Sequence, residues 1–515
     1  MAFRSPFSIQ SSTFAKLQQK KLLLLNSTLS RRQSATCCCG QSVSPLSTCL
    51  TQSRRRPVWP FARLISTTMA DSAPAPAPEP SSSSNTTIIK EKLLPPNPKF
   101  SLDTKYHGLE KNVWVEFIEL NAQLKPLNLG QGFPDFMPAE SVVKELARAC
   151  EQEAEPLLHQ YTRSMGHPRL VKALAKLYSR LIGKDINPNT EVLVTGGAYG
   201  SLFAAIMSHV GRGDEVIIVE PFFDCYEPLV KLAGGTPRFI SLKPVNVMDD
   251  SSATWKLDEA ELRSLFNEKT KAIILNTPNN PLGKVFSREE LTVIAELCKE
   301  FNILVISDEV YEWLVYEGSD HVRIASLPGM WERTITIGSA GKTFSLTGWK
   351  LGWSYGSAHL IKNMQVAHQN CVYTCQTPGQ EALAVSLEKE IKRLGTTNSF
   401  FYKMATDLKR RRDMMAKALK DTGMNPVVPE GGYFMLANWT PMESKVDLSS
   451  ETDKCADYRF VKWFAKKFKL LGIPPSAFYS EDHKHLGESY IRLCFYKKTD
   501  TLQQADEILK QFKNS

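Results

Sequence analysis

The chain has 515 residues, enough for two domains with a large buried core. Its 42% apolar share suits a globular protein, and no apolar run reaches the roughly 18 residues of a membrane-spanning helix, so no span is expected. The formal charge of +9 belongs to the N-terminus: residues 1–70 hold ten Lys/Arg and no Asp or Glu, leaving 53 basic against 54 acidic residues elsewhere, which excludes a nucleic-acid footprint on the body.

Basic, Ser/Thr-rich and acid-free, residues 1–70 have the composition of an organellar transit peptide. The Met-Ala start favours a chloroplast over a mitochondrion, although Arg63-Leu-Ile-Ser equally suits a mitochondrial cleavage, and Met69 offers an internal start for a cytosolic form. Cys37, Cys38, Cys39 and Cys49 lie in this leader. The other seven cysteines are scattered without a C-x-x-C pair, so they read as reduced thiols and no metal site is expected. Residues 71–99 read as a linker: Ala73-Pro-Ala-Pro-Ala-Pro favours polyproline geometry and Ser81–Ser84 is a flexible polar tract.

From residue 139 onward helical and strand patterns alternate. Ser141–Glu151, Pro168–Ile182 and Ala198–Val210 carry apolar residues at helical spacing. The apolar runs beginning at Glu191, Glu215, Lys271 and Ile303 read as buried strands, and Ser287-x-x-Glu290 is a capping box opening a helix between the last two. This rhythm predicts an α/β domain over 139–395 with a mainly parallel sheet between helices. After a long charged helix, Phe400–Lys420, the pattern thins into a smaller α+β domain over 396–515. Residues 100–138 do not fit the sheet rhythm and are assigned to that small domain, so both chain ends build it.

Ligands bind at the carboxyl ends of parallel strands, and four polar clusters fall there: Gly196-Gly-Ala-Tyr199, Asn276-Thr-Pro-Asn-Asn-Pro-Leu-Gly-Lys284, Asp308-Glu-Val-Tyr311 and Gly338-Ser-Ala-Gly-Lys342. Taken with Asn128-Leu-Gly-Gln-Gly-Phe-Pro-Asp-Phe136 and Glu220-Pro-Phe-Phe-Asp-Cys-Tyr-Glu-Pro228, their order resembles the class I/II pyridoxal-phosphate aminotransferases of fold type I. The similarity is greatest to the kynurenine/glutamine transaminase group, also called cysteine-S-conjugate β-lyases, in an organelle-targeted, plant-like form. It runs from Tyr106 to Phe512.

The resemblance implies pyridoxal 5'-phosphate as cofactor, with Lys342 as the lysine that carries it and then moves the substrate proton. Asp308 is implied beside the pyridine nitrogen, and Tyr311 and Asn280 at the ring oxygen. Ala198, Tyr199, Ser339 and Lys350 would hold the phosphate, the first two as a helix N-terminus favourable to anions. Phe223 would stack on the ring. Arg492 would clamp the substrate α-carboxylate, for which a planar guanidinium fork is suited. Gly132 would let the backbone approach that carboxylate. Trp114 and Phe133 are implied to line the substrate pocket, and Tyr161 to reach into the cofactor site from a second copy, which implies a homodimer with shared sites.

An aromatic, fairly neutral pocket suits aromatic amino acids, kynurenine, methionine or glutamine as donors to a 2-oxo acid. The same site can eliminate a leaving group from Cβ, so β-lyase activity is the alternative. Two departures stand out: Tyr373-Thr374 where animal relatives carry Phe-His, and Ala198 where the family carries glycine. A scaffold that has lost catalysis would be expected to lack Lys342 or Arg492, and both are present. A nicotinamide-dependent dehydrogenase is disfavoured, because Gly196-Gly-Ala-Tyr-Gly200 does not fit G-x-G-x-x-G.

Overall fold

The four apolar runs pair with three further strands into one seven-stranded sheet. Its strands are β1 (Val192–Thr195), β2 (Glu215–Glu220), β3 (Thr236–Ser241), β4 (Thr270–Asn276), β5 (Leu304–Asp308), β6 (Thr334–Ser339) and β7 (Gly352–Gly356), in the order β1-β7-β6-β5-β4-β2-β3. The computed structural model describes residues 98–515, apart from 111, 152, 247 and 248. The leader over 1–70 and all but the last two residues of the linker lie outside the described residues.

Side-chain alternation explains why this sheet is covered twice. In β4, Ala272 and Ile274 join one apolar cluster with Leu202 and Ile206 of the helix Gly197–His209. Ile273 and Leu275 join another with Leu291 and Ile294 of the helix Arg288–Glu300. Successive residues face opposite sides of a strand, so an unbroken apolar run requires a helix on each. Each buried Ile or Leu among them contributes about 1.5–3 kcal/mol.

Local signals set the helix bounds. Pro168–Ile182 starts on proline and stops at Gly183, which takes the left-handed conformation at φ 78°. The capping box forms: Ser287 Oγ accepts from the Glu290 N–H at 3.3 Å, and Glu290 Oε2 accepts from the Ser287 N–H at 2.8 Å. The helix expected over 141–151 runs Glu140–Ala149, ending at Cys150.

The four runs read from the sequence are β1, β2, β4 and β5; β6 was implied only by the polar cluster at its end, and β3 and β7 were not anticipated. β7, Gly-Trp-Ser-Tyr-Gly, lies antiparallel between β1 and β6, whereas the other neighbours are parallel. Its Trp353 donates from Nε1 to Tyr178 OH at 2.9 Å. A Cβ at Gly338 would lie 2.3 Å from that Nε1, so glycine there makes room for the indole.

A second, antiparallel sheet is ordered β8 (Asn425–Val427), β9 (Phe434–Asn438), β10 (Tyr490–Cys494). The segment after the helix Val113–Leu124 reaches the same region: Leu127 and Asn128 pair in parallel with Leu470 and Leu471, and the Cys494 N–H donates to the Leu129 carbonyl at 2.7 Å.

Behind the turn that follows β5 lies a buried charge network. Glu309 accepts from Ser307 Oγ at 2.8 Å and meets His321 Nε2 at 2.8 Å. Glu312 accepts from Tyr178 OH at 2.5 Å and pairs with Arg323. Glu309, Glu312 and His321 lie close enough to share a cation, and the Arg323 guanidinium, 3.9 Å from Glu309, supplies the positive charge. Removing one partner of a buried pair leaves the other charge uncompensated. Arg323→Leu is therefore expected to cost about 3–5 kcal/mol, read as a lowered denaturation midpoint. A midpoint equal to that of the unaltered chain would show that the network bears no load.

Candidate active site

A cavity of about 390 Å³ opens at the carboxyl ends of β1, β4, β5 and β6. It gathers Trp114, Gly132, Ala198, Tyr199, Phe223, Asn280, Asp308, Tyr311, Ser339, Lys342, Lys350 and Arg492. Residues far apart in sequence meet because each parallel strand delivers its following loop to the same edge.

Lys342 stands on the single helical turn Ala340–Thr343 after β6. Its Nζ donates to Tyr433 OH at 2.6 Å, and Tyr433 in turn donates to the Gly132 carbonyl at 2.7 Å. Burial pushes the Lys342 amine down to about 8, with Arg492 and Lys350 nearby acting in the same direction. Asp308, at the end of β5, accepts from Tyr226 OH at 2.6 Å and from the Val310 N–H at 3.3 Å. Both partners are neutral, and burial raises the Asp308 carboxyl to about 6. Asn276 Nδ2 donates to the Asp308 carbonyl at 2.9 Å, fixing the backbone that aims the carboxylate. Tyr311 is buried edge-on to Tyr433, ring centroids 5.1 Å apart, and burial raises its phenol.

Arg492 projects from β10 and is fully buried. Nη1 donates to Asn280 Oδ1 at 2.9 Å and Nη2 to the Gly130 carbonyl at 2.8 Å, both neutral acceptors, while Nε has no partner among the described residues. The guanidinium lies 3.9 Å from the Phe434 ring, 4.9 Å from Phe478 and 5.2 Å from Trp114. A buried cation held only by neutral groups awaits an anion. Gly132 has no room for a side chain, since a Cβ would lie 2.4 Å from Phe434 Cζ.

At the opposite wall, the start of the helix Gly197–His209 faces Ser339 and Lys350. A Cβ at Gly197 would lie 3.5 Å from Lys350 Nζ, which places that ammonium beside the helix N-terminus. Backbone N–H groups, a hydroxyl and an ammonium suit a phosphate. The donor set therefore fits pyridoxal phosphate: a lysine with a lowered pKa, a buried carboxylate with no cation of its own, and a phosphate cradle.

One expectation is corrected: Phe133 does not line the cavity, since it is 41% exposed and packs under Lys497 Nζ, 4.7 Å from its ring. Tyr161, expected to serve the site of a second copy, is 86% exposed in its own chain and meets Tyr373 edge-on at 5.9 Å. Four residues had not been singled out: Tyr226 on Asp308, Tyr433 on Lys342, Phe434 under Arg492, and Asp224, whose Oδ2 accepts from Trp114 Nε1 at 2.9 Å. Asp224 and Tyr226 lie in the quoted string Glu220–Pro228, but nothing in that string marks their partners.

The lowered amine has a direct readout. Labelling of Lys342 by an amine-reactive reagent in the cofactor-free chain is expected to rise with a midpoint near pH 8, because the neutral amine is the reactive form and burial favours it. Below about pH 6 Asp308 gains its proton, so the anion beside the ring nitrogen is lost there. A labelling midpoint in the ordinary lysine range, above about 10, would contradict this electrostatic reading.

Comparison with known proteins agrees with this geometry. The family model for aminotransferases of class I and II matches residues 125–509. Kynurenine–oxoglutarate transaminase 3 of Homo sapiens is 53% identical over 415 residues, covering 80% of this chain and 90% of its own. Among solved structures, Bna3p of Saccharomyces cerevisiae matches with a TM-score of 0.74 at 33% identity, over 80% of this chain and 99% of its own. YbdL of Escherichia coli, with an identified methionine aminotransferase function, matches with a TM-score of 0.70 at 30% identity, over 80% and 99%. With most of its length matched and a relative more than half identical, the chain belongs to the class I and II aminotransferases, the pyridoxal-phosphate-dependent transferases of fold type I.

Proposed function

We propose that this aminotransferase takes its amino group from a neutral or aromatic amino acid, of the phenylalanine, methionine, glutamine or kynurenine type, and passes it to a 2-oxo acid. The observation that carries the reading is the buried, carboxylate-free Arg492 in a cavity whose nearby walls are Trp114, Phe223 and Phe434. The human relative is named for kynurenine and the Escherichia coli neighbour for methionine, which supports the same class.

The residues divide the work. Arg492 takes the substrate α-carboxylate on its fork, while Asn280 Oδ1 and the Gly130 carbonyl keep the guanidinium plane fixed. When bound, pyridoxal phosphate supplies the electron sink that lets the substrate Cα–H bond break. Lys342 Nζ would take that proton from Cα and hand it to C4′ of the bound cofactor, and its depressed pKa keeps a neutral fraction available near physiological pH. Asp308 would hold the proton on the ring nitrogen of the bound cofactor, and Tyr226 keeps Asp308 oriented. The aromatic walls exclude water from Cα.

Adding L-phenylalanine, L-methionine, L-glutamine or L-kynurenine to the holoenzyme is expected to shift the visible cofactor band into the near ultraviolet. Lys342→Ala is expected to slow that shift by about 10²–10⁴-fold or more. A band that none of these amino acids moves would refute the substrate class, and a Lys342→Ala protein with full turnover would refute the role of the lysine.

The reading extends to assembly and address. Tyr161 and Tyr373 form an exposed aromatic pair, which supports a second copy bringing Tyr161 to the neighbouring site. The acid-free leader over 1–70 supports import into an organelle, the chloroplast before the mitochondrion. Sedimentation of residues 70–515 is then expected to report a two-chain mass, and a fluorescent fusion of residues 1–70 to enter plastids. A one-chain mass or a cytosolic fusion would overturn the respective reading.

A further inference from the structure

We propose that the carboxylate of Asp224 is a specificity-determining group, disfavouring substrates whose side chain carries a negative charge; the proposal rests on the reading of this site as one for neutral amino acids. Asp224 directly follows Phe223 and lines the same cavity. Its Oδ2 accepts from Trp114 Nε1 at 2.9 Å and from Asn112 Nδ2 at 3.4 Å, both neutral donors. Its Oδ1 is buried without a hydrogen-bond partner among the described residues.

Trp114 touches both poles of the cavity. Its ring lies 5.2 Å from the Arg492 guanidinium, and its N–H is bound to Asp224. The wall therefore runs from a cation at Arg492, across one indole, to an anion at Asp224. A substrate whose α-carboxylate sits on Arg492 and whose side chain follows that wall approaches the anion. A neutral side chain meets only an acceptor and the indole face. A second carboxylate meets a like charge in a region poor in water, where Coulomb repulsion is strengthened.

Seating the indole alone does not require a charge, since an amide oxygen accepts an N–H equally well. Burying a carboxylate whose hydrogen-bond donors are all neutral carries a desolvation cost that a neutral acceptor avoids. Burial draws the Asp224 carboxyl upward, while Trp114, Arg492 and Asn112 pull it back toward the ionised form.

The test uses the holoenzyme at pH 8 and Asp224→Asn, which keeps an oxygen for Trp114 and removes the charge. Two quantities are measured: the ratio of kcat/KM for L-glutamate to that for L-phenylalanine, and the ratio of affinities for glutarate and 3-phenylpropionate by calorimetry. Asp224→Ser provides a second neutral side chain should the first variant not fold, and Trp114→Phe reports the loss of the indole bond alone. Both neutral variants are expected to raise both ratios roughly tenfold or more, with Trp114→Phe leaving the ratios near those of the unaltered enzyme. Ratios that stay put in the neutral variants, or that Trp114→Phe raises as much, would overturn the proposal by reducing Asp224 to a seat for the indole. An unaltered enzyme that prefers glutamate to phenylalanine would overturn the neutral-substrate reading itself, and this proposal with it.

Discussion

Burying the guanidinium of Arg492 imposes a demand that much of the site exists to meet. Taking a cation out of water costs several kcal/mol, and no carboxylate among the described residues is hydrogen-bonded to it, Asp224 acting only across the Trp114 ring. The compensation is assembled from Asn280 Oδ1, the Gly130 carbonyl and the faces of Trp114, Phe434 and Phe478. Even so, burial draws the Arg492 pKa down to about 10. These partners come from the N-terminal segment, the loop after β4, β9 and the C-terminal region. The clamp therefore forms only when residues 114–130 and the C-terminal region are folded against the edge of the central sheet.

The acid and the base are kept apart by the same architecture. Asp308 and Lys342 follow adjacent strands, β5 and β6, so they share a cavity without forming an ion pair. Each is tuned mainly by burial, Asp308 to about 6 and Lys342 to about 8, and between those values one is anionic while the other is cationic. Neutral phenols set their orientation: Tyr226 for the carboxylate, Tyr433 for the amine. On the far side of the β5 turn, Glu309 and Glu312 are tied to His321, Arg323 and Tyr178, so the turn presenting Asp308 and Tyr311 is held from behind.

What the sequence made legible follows from how each feature is encoded. β1, β2, β4 and β5 announce themselves as apolar runs, because both faces must be covered, whereas the edge strand β3, Thr-Pro-Arg-Phe-Ile-Ser, does not. β7 does not: Gly-Trp-Ser-Tyr-Gly has no such run, and its burial depends on Tyr178 and on the missing side chain at Gly338. Lys342, Asp308 and Asn280 were legible through their strand-end clusters and the resemblance those strings carry, and Arg492 through the resemblance alone. Tyr226, Tyr433 and the Asp224–Trp114 pair were not, because each acts through a contact across 82, 91 and 110 residues respectively. Phe133 was misplaced because its neighbour Gly132 does reach the cavity, whereas the next ring turns outward to Lys497.

The antiparallel insertion of β7 has a consequence for how such a site can change. β6 ends at Ser339 and β7 begins at Gly352, and these two residues are paired, with Gly352 also paired to Thr195 at the end of β1. The intervening stretch carries Lys342 near one end and Lys350 near the other, so both ammonium groups hang from a closed loop whose two feet are bolted to neighbouring strands. That loop works as a caliper of set span between the amine and the cradle for an anion. Its second foot is packed closely against the helix start: a Cβ on Gly352 would lie 2.5 Å from the Ala198 nitrogen. Residues on the aromatic walls can be exchanged one at a time to admit new side chains, but a single insertion between Ser339 and Gly352 would alter the gauge itself.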